Sequence, residues 1–517
     1  MIRPLRLTLL LSACLLLVGC ATKLPEDYDR IASTAFANPG GTKLGRFFQA
    51  ELDAHPGESG MVLLPTGEWG FRARAGLANQ AEKSLDLQYY IWEADTAGTI
   101  LAERILRAAD RGVRVRILLD HITTKATDFR FARMDIHPNI EIRIFNPFAN
   151  RRFRTLEFLF SLERLNHRMH NKAFIVDNAL AIVGGRNIGD NYFGVAATTN
   201  FRDLDLAMIG PVVKEVSRSF DKYWNSELAV PVSVIIEEQM SLEAYQERKT
   251  ALYQWVEALA DFPYPIDSTS DAVMAKLEES RGDLIWAPAR ALYDEPYKLV
   301  TGEEGVADDL IRLGKQKGHE IVMEAAYLVP GPEGVERARV NRERGISQRL
   351  LTNSLATNDV AAAHAGYVKY RRDLIRNGVE LYELRPDASS LRKNWSVLAG
   401  RSRAGLHTKA SVMDRELVAI GSFNIDPRST TLNTEIVILI ESPELAAQVL
   451  AYIDEGTLPE NAYRVLLETD AETGDERLVW ITERNGEEVR YYSEPEVGLW
   501  RRFSTWFMGL LPIEEHL

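Results

Sequence analysis

Two eighteen-residue stretches of the chain share one frame: HNKAFIVDNALAIVGGRN at residues 170–187 and HTKASVMDRELVAIGSFN at residues 407–424. In both, Lys follows His by two residues, Asp by seven and Asn by seventeen, and a pair of small residues begins at fourteen. A polar frame of this length does not recur by chance in a chain of 517 residues. The repeat therefore predicts a duplicated fold unit that brings two His and two Lys side chains to one point.

The repeat extends beyond these two stretches. Strand patterns recur in the same order in each half of the chain: 84–92 with 320–329, 113–119 with 344–351, and 140–145 with 379–386. The offset barely drifts, at 233 residues from Arg111 to Arg344 and 237 from His170 to His407. Buried strands that alternate with helical spacing, as at 99–111, are typical of β-α-β units. We therefore predict an α/β fold of two fused lobes, each a mixed, mainly parallel sheet flanked by helices, related by a pseudo-two-fold axis.

The repeat and its surroundings divide the chain into six segments. They are a signal peptide at 1–19, a lipidated tether at 20–41, a first lobe at 42–215, a helical insertion or linker at 216–300, a second lobe at 301–445 and a C-terminal extension at 446–517. In the extension, Asn485-Gly486 predicts a hairpin turn, and a helix pattern with Trp500, Phe503, Phe507 and Leu510 on one face follows it. That face fits either core packing or a membrane interface, and we expect core packing.

The first twenty residues have the pattern of a bacterial lipoprotein signal. Arg3 and Arg6 precede a twelve-residue apolar run from Leu7 to Val18, which is too short to span a bilayer comfortably. The run ends in Leu17-Val18-Gly19-Cys20, which resembles a lipobox, the site at which a lipid is attached to Cys. An ordinary cleaved signal or a short anchor is the alternative.

Composition narrows the compartment and the partners. The two Cys are Cys14 and Cys20, so loss of the first and lipidation of the second would leave no thiol for a disulfide or for catalysis. Ala21, rather than Asp, after Cys20 favours a lipoprotein that faces the periplasm from the outer membrane. The formal net charge of −13 opposes non-specific binding to nucleic acid, which leaves a basic footprint.

The paired frames suit chemistry at a phosphodiester. Alternation along a strand places His170 and Lys172 on one face, and His407 and Lys409 likewise. Two ammonium groups can stabilise a phosphoryl transition state without a metal. One imidazole can attack phosphorus to form a covalent phosphohistidine, while the other protonates the leaving oxygen and then activates water or an alcohol. We therefore predict catalytic roles for these four residues, and the sequence offers no metal or cofactor motif.

Other positions of the frames supply the surroundings of such a site. We predict that Asn187 and Asn424 bind the phosphate through their amides, and that Gly185 and Ser422 let the backbone approach the substrate closely. Asp177 and Asp414, at the ends of the first strand of each frame, are predicted to be structural acids.

Two further acids are expected to orient the imidazoles. Asp203 lies 33 residues after His170, and Glu435 lies 28 residues after His407; each opens an apolar strand. A carboxylate on one ring nitrogen fixes the tautomer and leaves the other nitrogen free to react. We therefore add Asp203 and Glu435 to the predicted catalytic set.

The frame H-x-K-x4-D-x6-G-[GS]-x-N resembles the paired motif of the phospholipase D superfamily over residues 70–442. The finer resemblance is to bacterial cardiolipin synthases of the type C group, through 84–92, 108–112, 137–141, 168–172 and 424–429. It implies an enzyme that transfers a phosphatidyl group between phospholipids, or hydrolyses a phospholipid, with His170 as nucleophile and His407 as acid and base. Two departures are the lack of transmembrane helices and Asp203 standing where the second copy has Glu435.

The resemblance also implies partners and leaves rivals. The expected partners are phosphatidylglycerol, with phosphatidylethanolamine as a second candidate, and a membrane surface. No cofactor, no nucleic acid and no obligate protein partner are expected. The first rival is a nuclease or other phosphodiesterase of the same superfamily. The second is a non-catalytic lipoprotein scaffold, which two intact frames oppose.

Overall fold

The structure is a computed structural model that describes residues 28–121, 128–148, 165–236, 240–265, 270–298, 305–388, 391, 395, 402–470, 472–511 and 514. The predicted signal peptide, Cys20 and the first part of the predicted tether lie outside these residues. Among the residues described, no helix is long and apolar enough to cross a membrane.

The first lobe is built on a mixed sheet. The strands of this half are β1 Ser59–Leu64, β2 Ser84–Tyr89, β3 Arg114–Asp120, β4 Ile140–Phe145, β5 Arg168–Met169, β6 Ala173–Val176, β7 Leu180–Gly184, β8 Thr199–Arg202, β9 Asp205–Ile209, β10 Ala229–Pro231 and β11 Ile285–Ala287. In the described part of the chain, nine of them form a sheet in the order β10-β4-β3-β2-β6-β7-β9-β1-β11. The short strands β5 and β8 lie outside this sheet.

The second lobe repeats the design. Its strands are β12 Ala289–Tyr293, β13 Glu320–Ala325, β14 Ser347–Asn353, β15 Val379–Leu384, β16 Arg403–Leu406, β17 Lys409–Met413, β18 Leu417–Gly421, β19 Asn433–Thr434, β20 Ile436–Glu441, β21 Ala462–Thr469, β22 Glu476–Arg484 and β23 Glu487–Tyr491. The described sheet has the order β12-β20-β18-β17-β13-β14-β15-β21-β22-β23. Read from its other edge, this order matches the first sheet from β10 to β1, with β22 and β23 added.

The sheets are less parallel than the sequence suggested. Strands β2, β3 and β4 pair in parallel, as do β13, β14 and β15. The other described pairs within the two sheets are antiparallel. The predicted α/β fold of two lobes with mixed sheets is confirmed, but "mainly parallel" is wrong. The reason is that each frame folds into a hairpin, β6–β7 or β17–β18, and the three residues that join the two strands can only reverse the chain.

Helices pack against both sheets. They are α1 Lys43–Phe47, α2 Gln49–Ala54, α3 Gly67–Gln80, α4 Thr96–Asp110, α5 Asp128–Met134, α6 Pro211–Trp224, α7 Val232–Ile235, α8 Leu242–Glu257, α9 Ser270–Glu279, α10 Val306–Gln316, α11 Gly331–Glu343, α12 Ala361–Arg376, α13 Pro443–Thr457 and α14 Leu499–Gly509. Two of these helices, α6 and α13, contribute to the apolar core between the lobes. Short 3-10 turns occur at Pro39–Gly41 and Ser280–Asp283, and a π turn at Arg428–Leu432.

A shared core joins the two lobes. The inner faces of both sheets contribute to one cluster of buried apolar residues, for example Ile175 and Val183 from the first lobe and Val412 and Ile438 from the second. Two short parallel pairs also cross between lobes, β5 with β19 and β8 with β16. Because each frame directly follows β5 or β16 and continues into an inner hairpin, the lobe interface fixes the distance between the two frames.

The segment at 216–300, predicted as a helical insertion, contributes strands as well as helices. β11 pairs with β1 at one edge of the first sheet, and β12, which begins two residues later, pairs with β20 of the second sheet. The linker therefore extends both sheets. The described part of the predicted tether is also held, since the Ala35 N–H donates to Asp221 at 2.9 Å and Arg116 binds the Ser33 carbonyl at 2.8 Å.

Tight turns follow from residues that tolerate a positive φ. The β6–β7 turn has Asp177 at φ 54° and Asn178 at φ 50°, and the β17–β18 turn repeats this at Asp414 and Arg415. The predicted hairpin at Asn485-Gly486 is confirmed, with φ of 54° and 81° between β22 and β23. Two successive positive φ values match the twist of the flanking strands.

Candidate active site

The two frames meet at the interface between the lobes. His170 lies between β5 and β6, and its backbone N–H donates to the Thr434 carbonyl of the other lobe at 2.9 Å. His407 lies between β16 and β17, and its N–H donates to the Arg202 carbonyl of the first lobe at 2.8 Å. Each His is therefore placed by the strand of the opposite lobe.

The residue between His and Lys locks this arrangement. The Asn171 side chain accepts from Thr434 Oγ1 at 2.9 Å and donates to the Glu435 carbonyl at 3.3 Å. The Thr408 hydroxyl donates to the Arg202 carbonyl at 3.2 Å. Alternation of side chains thus directs the middle residue into the lobe interface, while His and Lys share the other side.

The two downstream acids cross over between the lobes. Glu435, from the second lobe, lies 2.9 and 3.0 Å from Nδ1 of His170 in the first. Asp203, from the first lobe, lies 2.7 Å from Nδ1 of His407 in the second. The structure therefore places both predicted acids against the imidazoles, each on the His of the other frame. In both pairs Nε2 is left as the ring nitrogen that can react.

The two carboxylates have different surroundings. Glu435 accepts hydrogen bonds from the hydroxyls of Ser422 and Ser429, the latter at 2.8 Å. Asp203 instead accepts from the backbone N–H of Leu204 at 2.8 Å. A Cβ at Gly185 would lie 2.1 Å from Asp203 Oδ1, so this position requires Gly. Gly185 and Ser422, predicted to approach the substrate, thus contact the two orienting acids.

The two lysines lie beside their own histidines. Lys172 Nζ donates to the His170 carbonyl at 2.5 Å, and Lys409 Nζ donates to the His407 carbonyl at 2.5 Å. All four of these side chains are buried. Burial lowers the pKa of Lys172 to about 7 and also lowers the pKa of Lys409, against the attraction of Glu435 and Asp203.

Burial also acts on the histidines and the acids. It lowers the pKa of His170 and His407 well below the ordinary value, and the two ammonium groups lower it further. It raises the pKa of Asp203 and of Glu435 to about 7 each, although Lys409 and Lys172 oppose this. Each charge is thus costly in the cleft on its own, and an anion between the two ammonium groups would favour their charged forms.

The two predicted amides differ. The Asn187 side chain accepts from the Ile91 N–H at 3.1 Å and donates to the Tyr192 hydroxyl at 3.0 Å, so its amide is occupied within the first lobe. The Tyr192 ring in turn contacts the His407 ring edge-on, with centroids 5.1 Å apart. In Asn424, by contrast, the buried Oδ1 accepts no hydrogen bond from the residues described. Asn187 thus acts on His407 indirectly, through the Tyr192 side chain that it binds, and the spacing of the frame alone did not predict this role.

Asp177 and Asp414 lie away from the site, at the hairpin turns. The Asp177 carboxylate accepts from the backbone N–H groups of Glu82, Lys83 and Ser84 at 3.0, 2.7 and 2.8 Å. Asp414 accepts in the same way from residues 318–320 at 3.0, 2.9 and 2.9 Å. Both join the turn to the start of the neighbouring strand, as a structural acid would.

Sequence reasoning missed several side chains that the structure brings to the site. Ser429 binds Glu435, the Tyr90 ring lies edge-on to His170 at 5.0 Å, and Tyr192 lies against His407. A signal was present for two of them, since Tyr192 and Ser429 each follow the Asn of their frame by five residues. Within the described residues, no group of three or more His, Cys, Asp or Glu has the arrangement of a metal site.

Comparison with known proteins matches both lobes to the same family. The family model described as "Cardiolipin synthase, PLD-like domain" matches residues 76–224 and 310–456. Cardiolipin synthase C of Escherichia coli K12 is 36% identical over 473 residues, which covers 89% of this chain and 96% of the relative. An uncharacterized protein of Helicobacter pylori strain 26695 is 30% identical over 502 residues, 96% of either chain.

Among solved structures, the phosphatidylserine synthase of Haemophilus influenzae Rd KW20 superposes with a TM-score of 0.52 at 14% identity. The superposition covers 80% of this chain and 90% of the synthase. At this identity the likeness concerns the fold, and it extends over both lobes.

Proposed function

Because the chain belongs to the phospholipase D-like cardiolipin synthase family, we propose that it transfers a phosphatidyl group from one phospholipid to a hydroxyl of another through a phosphohistidine. The observation that carries the proposal is the crossed pairing of His170 with Glu435 and of His407 with Asp203 in one buried cleft. Each imidazole has its Nδ1 on a carboxylate, so two reactive Nε2 atoms are available for one phosphorus atom.

The first half-reaction breaks the bond to the headgroup. Nε2 of His170 attacks phosphorus, and the bond from phosphorus to the headgroup oxygen breaks. Nε2–H of His407 gives its proton to that oxygen, so the headgroup leaves as a neutral alcohol. Lys172 and Lys409 stabilise the charge on the phosphoryl oxygens, and we propose that the Asn424 amide donates to the same oxygens.

The second half-reaction regenerates the enzyme. The acceptor hydroxyl gives its proton to Nε2 of His407 and attacks phosphorus, and the bond to His170 breaks. With phosphatidylglycerol as acceptor the product is cardiolipin; with water it is phosphatidic acid. The neutral imidazole that attack requires is favoured by burial, which lowers the pKa of His170.

The test separates donor, acceptor and reaction. Purified full-length protein is incubated with phosphatidylglycerol alone and with phosphatidylethanolamine, and lipids and released headgroups are resolved chromatographically. Cardiolipin with one equivalent of glycerol supports transfer from phosphatidylglycerol, and cardiolipin with ethanolamine identifies phosphatidylethanolamine as donor. Phosphatidic acid without cardiolipin contradicts transfer in favour of hydrolysis, and no turnover of any lipid contradicts the proposal.

Three controls accompany this test. The His170→Ala, His407→Ala double variant should give no product in any arm. Supercoiled plasmid incubated with the active protein should stay intact; its degradation with unchanged lipids would favour the nuclease. Chelators should leave lipid turnover unchanged, because His and Lys side chains supply the groups that the two steps need.

We also propose that the chain is a lipoprotein attached through Cys20 and facing the periplasm. The support is the lipobox-like sequence, Leu17-Val18-Gly19-Cys20. Radioactive palmitate should label the full chain in cells and should not label a Cys20→Ser variant. Fractionation should then recover the label with the outer membrane; label confined to the inner membrane would contradict that part of the proposal.

A further inference from the structure

The C-terminal helix α14 has an apolar outer face that core packing does not cover. The exposed fractions are Leu499 82%, Trp500 78%, Phe503 52%, Trp506 60%, Phe507 52% and Leu510 63%. The three rings of Trp500, Phe503 and Trp506 lie next to one another along the helix in tilted pairs, with centroids 5.9 and 5.8 Å apart. The expectation that this face packs in the core is therefore wrong.

The opposite face of α14 is fixed to the body of the protein. Thr505 is buried, and Arg501 and Arg502 point inward, donating to the carbonyls of Asn358 and Glu494. The helix is thus held in place by its polar side while its apolar side is presented outward. Apolar side chains exposed together in this way mark an interaction surface more often than an accident of packing.

The position of α14 connects this face to the catalytic cleft. Asn358, which anchors Arg501, precedes Asp359, and Asp359 accepts a hydrogen bond from the Tyr327 hydroxyl at 2.8 Å. Burial lowers the pKa of both His407 and Lys409, and the charge of Asp359 is close enough to oppose that lowering. The N-terminal end of α14 therefore lies beside the rim of the cleft.

From this rim α14 runs along α12. Gly509 lies against the Ala365 carbonyl, and beyond the helix Glu514 binds Lys369 at 2.8 Å, so the two helices run in the same direction. The apolar face consequently extends from the cleft along the side of the second lobe. A planar surface that contacts this face would also lie close to Asp359 at the rim of the cleft.

The chemistry of the face fits a lipid bilayer. A short helix with Trp, Phe and Leu on one side and Arg at its inner border is the composition of elements that lie in the membrane interface. The six outer residues include no acid that would be repelled by anionic headgroups. We propose that the outer face of α14 inserts into the interfacial layer of a phospholipid bilayer and turns the catalytic cleft toward it.

This inference rests on the proposed function, because a phospholipid substrate is what requires the cleft to face a bilayer. A lipid on Cys20 would fix one point of the chain and leave its orientation open. Docking by α14 would supply the orientation, so that headgroups at the bilayer surface meet His170 and His407.

The direct test measures insertion and does not depend on catalysis. In a full chain whose Cys14 and Cys20 are replaced by Ser, Phe503 or Glu416 is replaced by Cys and labelled with a fluorophore. Each labelled protein is added to phosphatidylglycerol–phosphatidylcholine vesicles that contain spin-labelled lipids. Glu416 is exposed and lies in the β17–β18 turn, at the end of β17 away from Lys409. We expect the label at Phe503→Cys to be quenched at least about threefold more than the label at Glu416→Cys.

Equal quenching at the two positions would overturn the proposal. The proposal would also be overturned if the protein formed a dimer that shields the Phe503→Cys label from the lipids. Sedimentation velocity would detect that dimer, and Phe503→Asp would abolish it. In that case a second copy of the chain, and not a bilayer, covers the face.

A functional test compares vesicles with monomeric lipid. The Trp500→Ala, Trp506→Ala double variant should lose about tenfold in the ratio of turnover on long-chain vesicles to turnover on a short-chain soluble phosphatidylglycerol. Trp255→Ala, at an exposed Trp of α8, is the matched control and should keep the ratio of the parent. An unchanged ratio in the double variant contradicts docking, whereas absence of turnover on both substrates in the parent protein contradicts the proposed function itself.

Discussion

The half of the cleft around Glu435 and the half around Asp203 hold their imidazoles by the same ring nitrogen but support them differently. Glu435 receives two hydroxyl groups, from Ser422 and Ser429. Asp203 receives a backbone N–H and lies directly over Gly185. The same geometry at His is therefore reached with two sets of neighbours.

The length of the orienting acid explains why the second residue of the small pair is Gly185 in the first lobe and Ser422 in the second. Asp is one methylene shorter than Glu, and its carboxylate lies so close to the strand that a Cβ at Gly185 would meet Asp203 Oδ1 at 2.1 Å. Glu435 leaves room for a side chain at the equivalent position, and the Ser422 hydroxyl uses that room to bind the carboxylate. In each lobe the size of the small residue therefore fits the length of the acid beside it: Gly185 with Asp203, and Ser422 with Glu435.

The two lobes also differ at the position five residues after Asn187 and Asn424. In the first lobe it is Tyr192, which binds Asn187 and sets its ring against His407. In the second lobe it is Ser429, which binds Glu435 and accepts from the Asn424 N–H at 3.2 Å. One half therefore supports a histidine through an aromatic edge, and the other supports an acid through a hydroxyl.

The largest expected effect separates the roles of the two histidines. His170→Ala and His407→Ala should each lower phosphatidyl transfer by about 10⁴-fold or more, because nucleophile and proton donor act as a unit. An activated donor with a p-nitrophenyl leaving group needs no acid. With it, His407→Ala should release about one equivalent of nitrophenol and retain a trapped phosphohistidine, whereas His170→Ala should release none. A burst in His170→Ala alone would reverse the assignment.

The next effect exchanges the small residues. Gly185→Ser should lower kcat/KM by about 10²–10³-fold, because the new Cβ displaces Asp203 and with it the His407 ring. Ser422→Gly removes one hydrogen bond from Glu435 without a clash and should cost about tenfold. Gly282→Ser is the control, since a Cβ there would meet nothing within 4 Å. If Gly185→Ser and Ser422→Gly lowered kcat/KM equally, the clash of a Cβ with Asp203 would not be the cause of the loss in Gly185→Ser.

Much of this comparison was accessible from the sequence. The repeat predicted two lobes, their strands and the six catalytic candidates, because a duplicated polar frame leaves few alternatives. The 3–4 residue differences between predicted and observed strand ends, as at 84–92 and β2, arise where the last residues leave the sheet toward the cleft. The hairpin at Asn485-Gly486 was fixed by local turn chemistry.

Other features depend on how the lobes dock and have no local signal. The crossing of Glu435 to His170 requires the β5–β19 pair, which joins residues more than 260 positions apart in the chain. The amide of Asn187 donates to the Tyr192 hydroxyl, and the sequence alone does not predict this hydrogen bond. The apolar face of α14 has the same periodicity whether it is buried or exposed, so its pattern could not decide between core and surface.

A smaller effect tests the hydroxyl support of Glu435. Burial raises the pKa of Glu435, and Lys172 together with hydrogen bonds from Ser422 and Ser429 opposes this rise, which leaves the pKa at about 7. In Ser429→Ala this pKa should rise further, so the pH below which kcat/KM falls should move upward by up to about one unit. Thr431→Ala removes a nearby exposed hydroxyl that binds the Pro427 carbonyl and should leave the profile in place. A uniform loss at all pH values would mean that Ser429 acts only on folding.

The smallest effect concerns stability and compares the two hairpin acids. Asp177 is fully buried and Asp414 is partly exposed, although each accepts three backbone N–H groups. Removing the carboxylate should lower the free energy of unfolding by roughly 2–3 kcal/mol in Asp177→Asn and by about 1 kcal/mol in Asp414→Asn, measured by urea titration.

The pH dependence of these two penalties should differ in sign. Burial alone would raise the pKa of Asp414, but its three N–H donors outweigh it and hold that pKa below the ordinary value. A depressed pKa contributes stability above the unfolded pKa of about 3.9, and this contribution is lost as pH falls through the folded value. Burial instead raises the pKa of Asp177 despite its three donors. A raised pKa contributes stability at low pH that is lost as pH rises. The penalty of Asp414→Asn should therefore shrink between pH 5 and pH 3, and the penalty of Asp177→Asn should grow. If the two penalties changed with pH in the same direction, the difference in burial between the two carboxylates would have no effect on their titration.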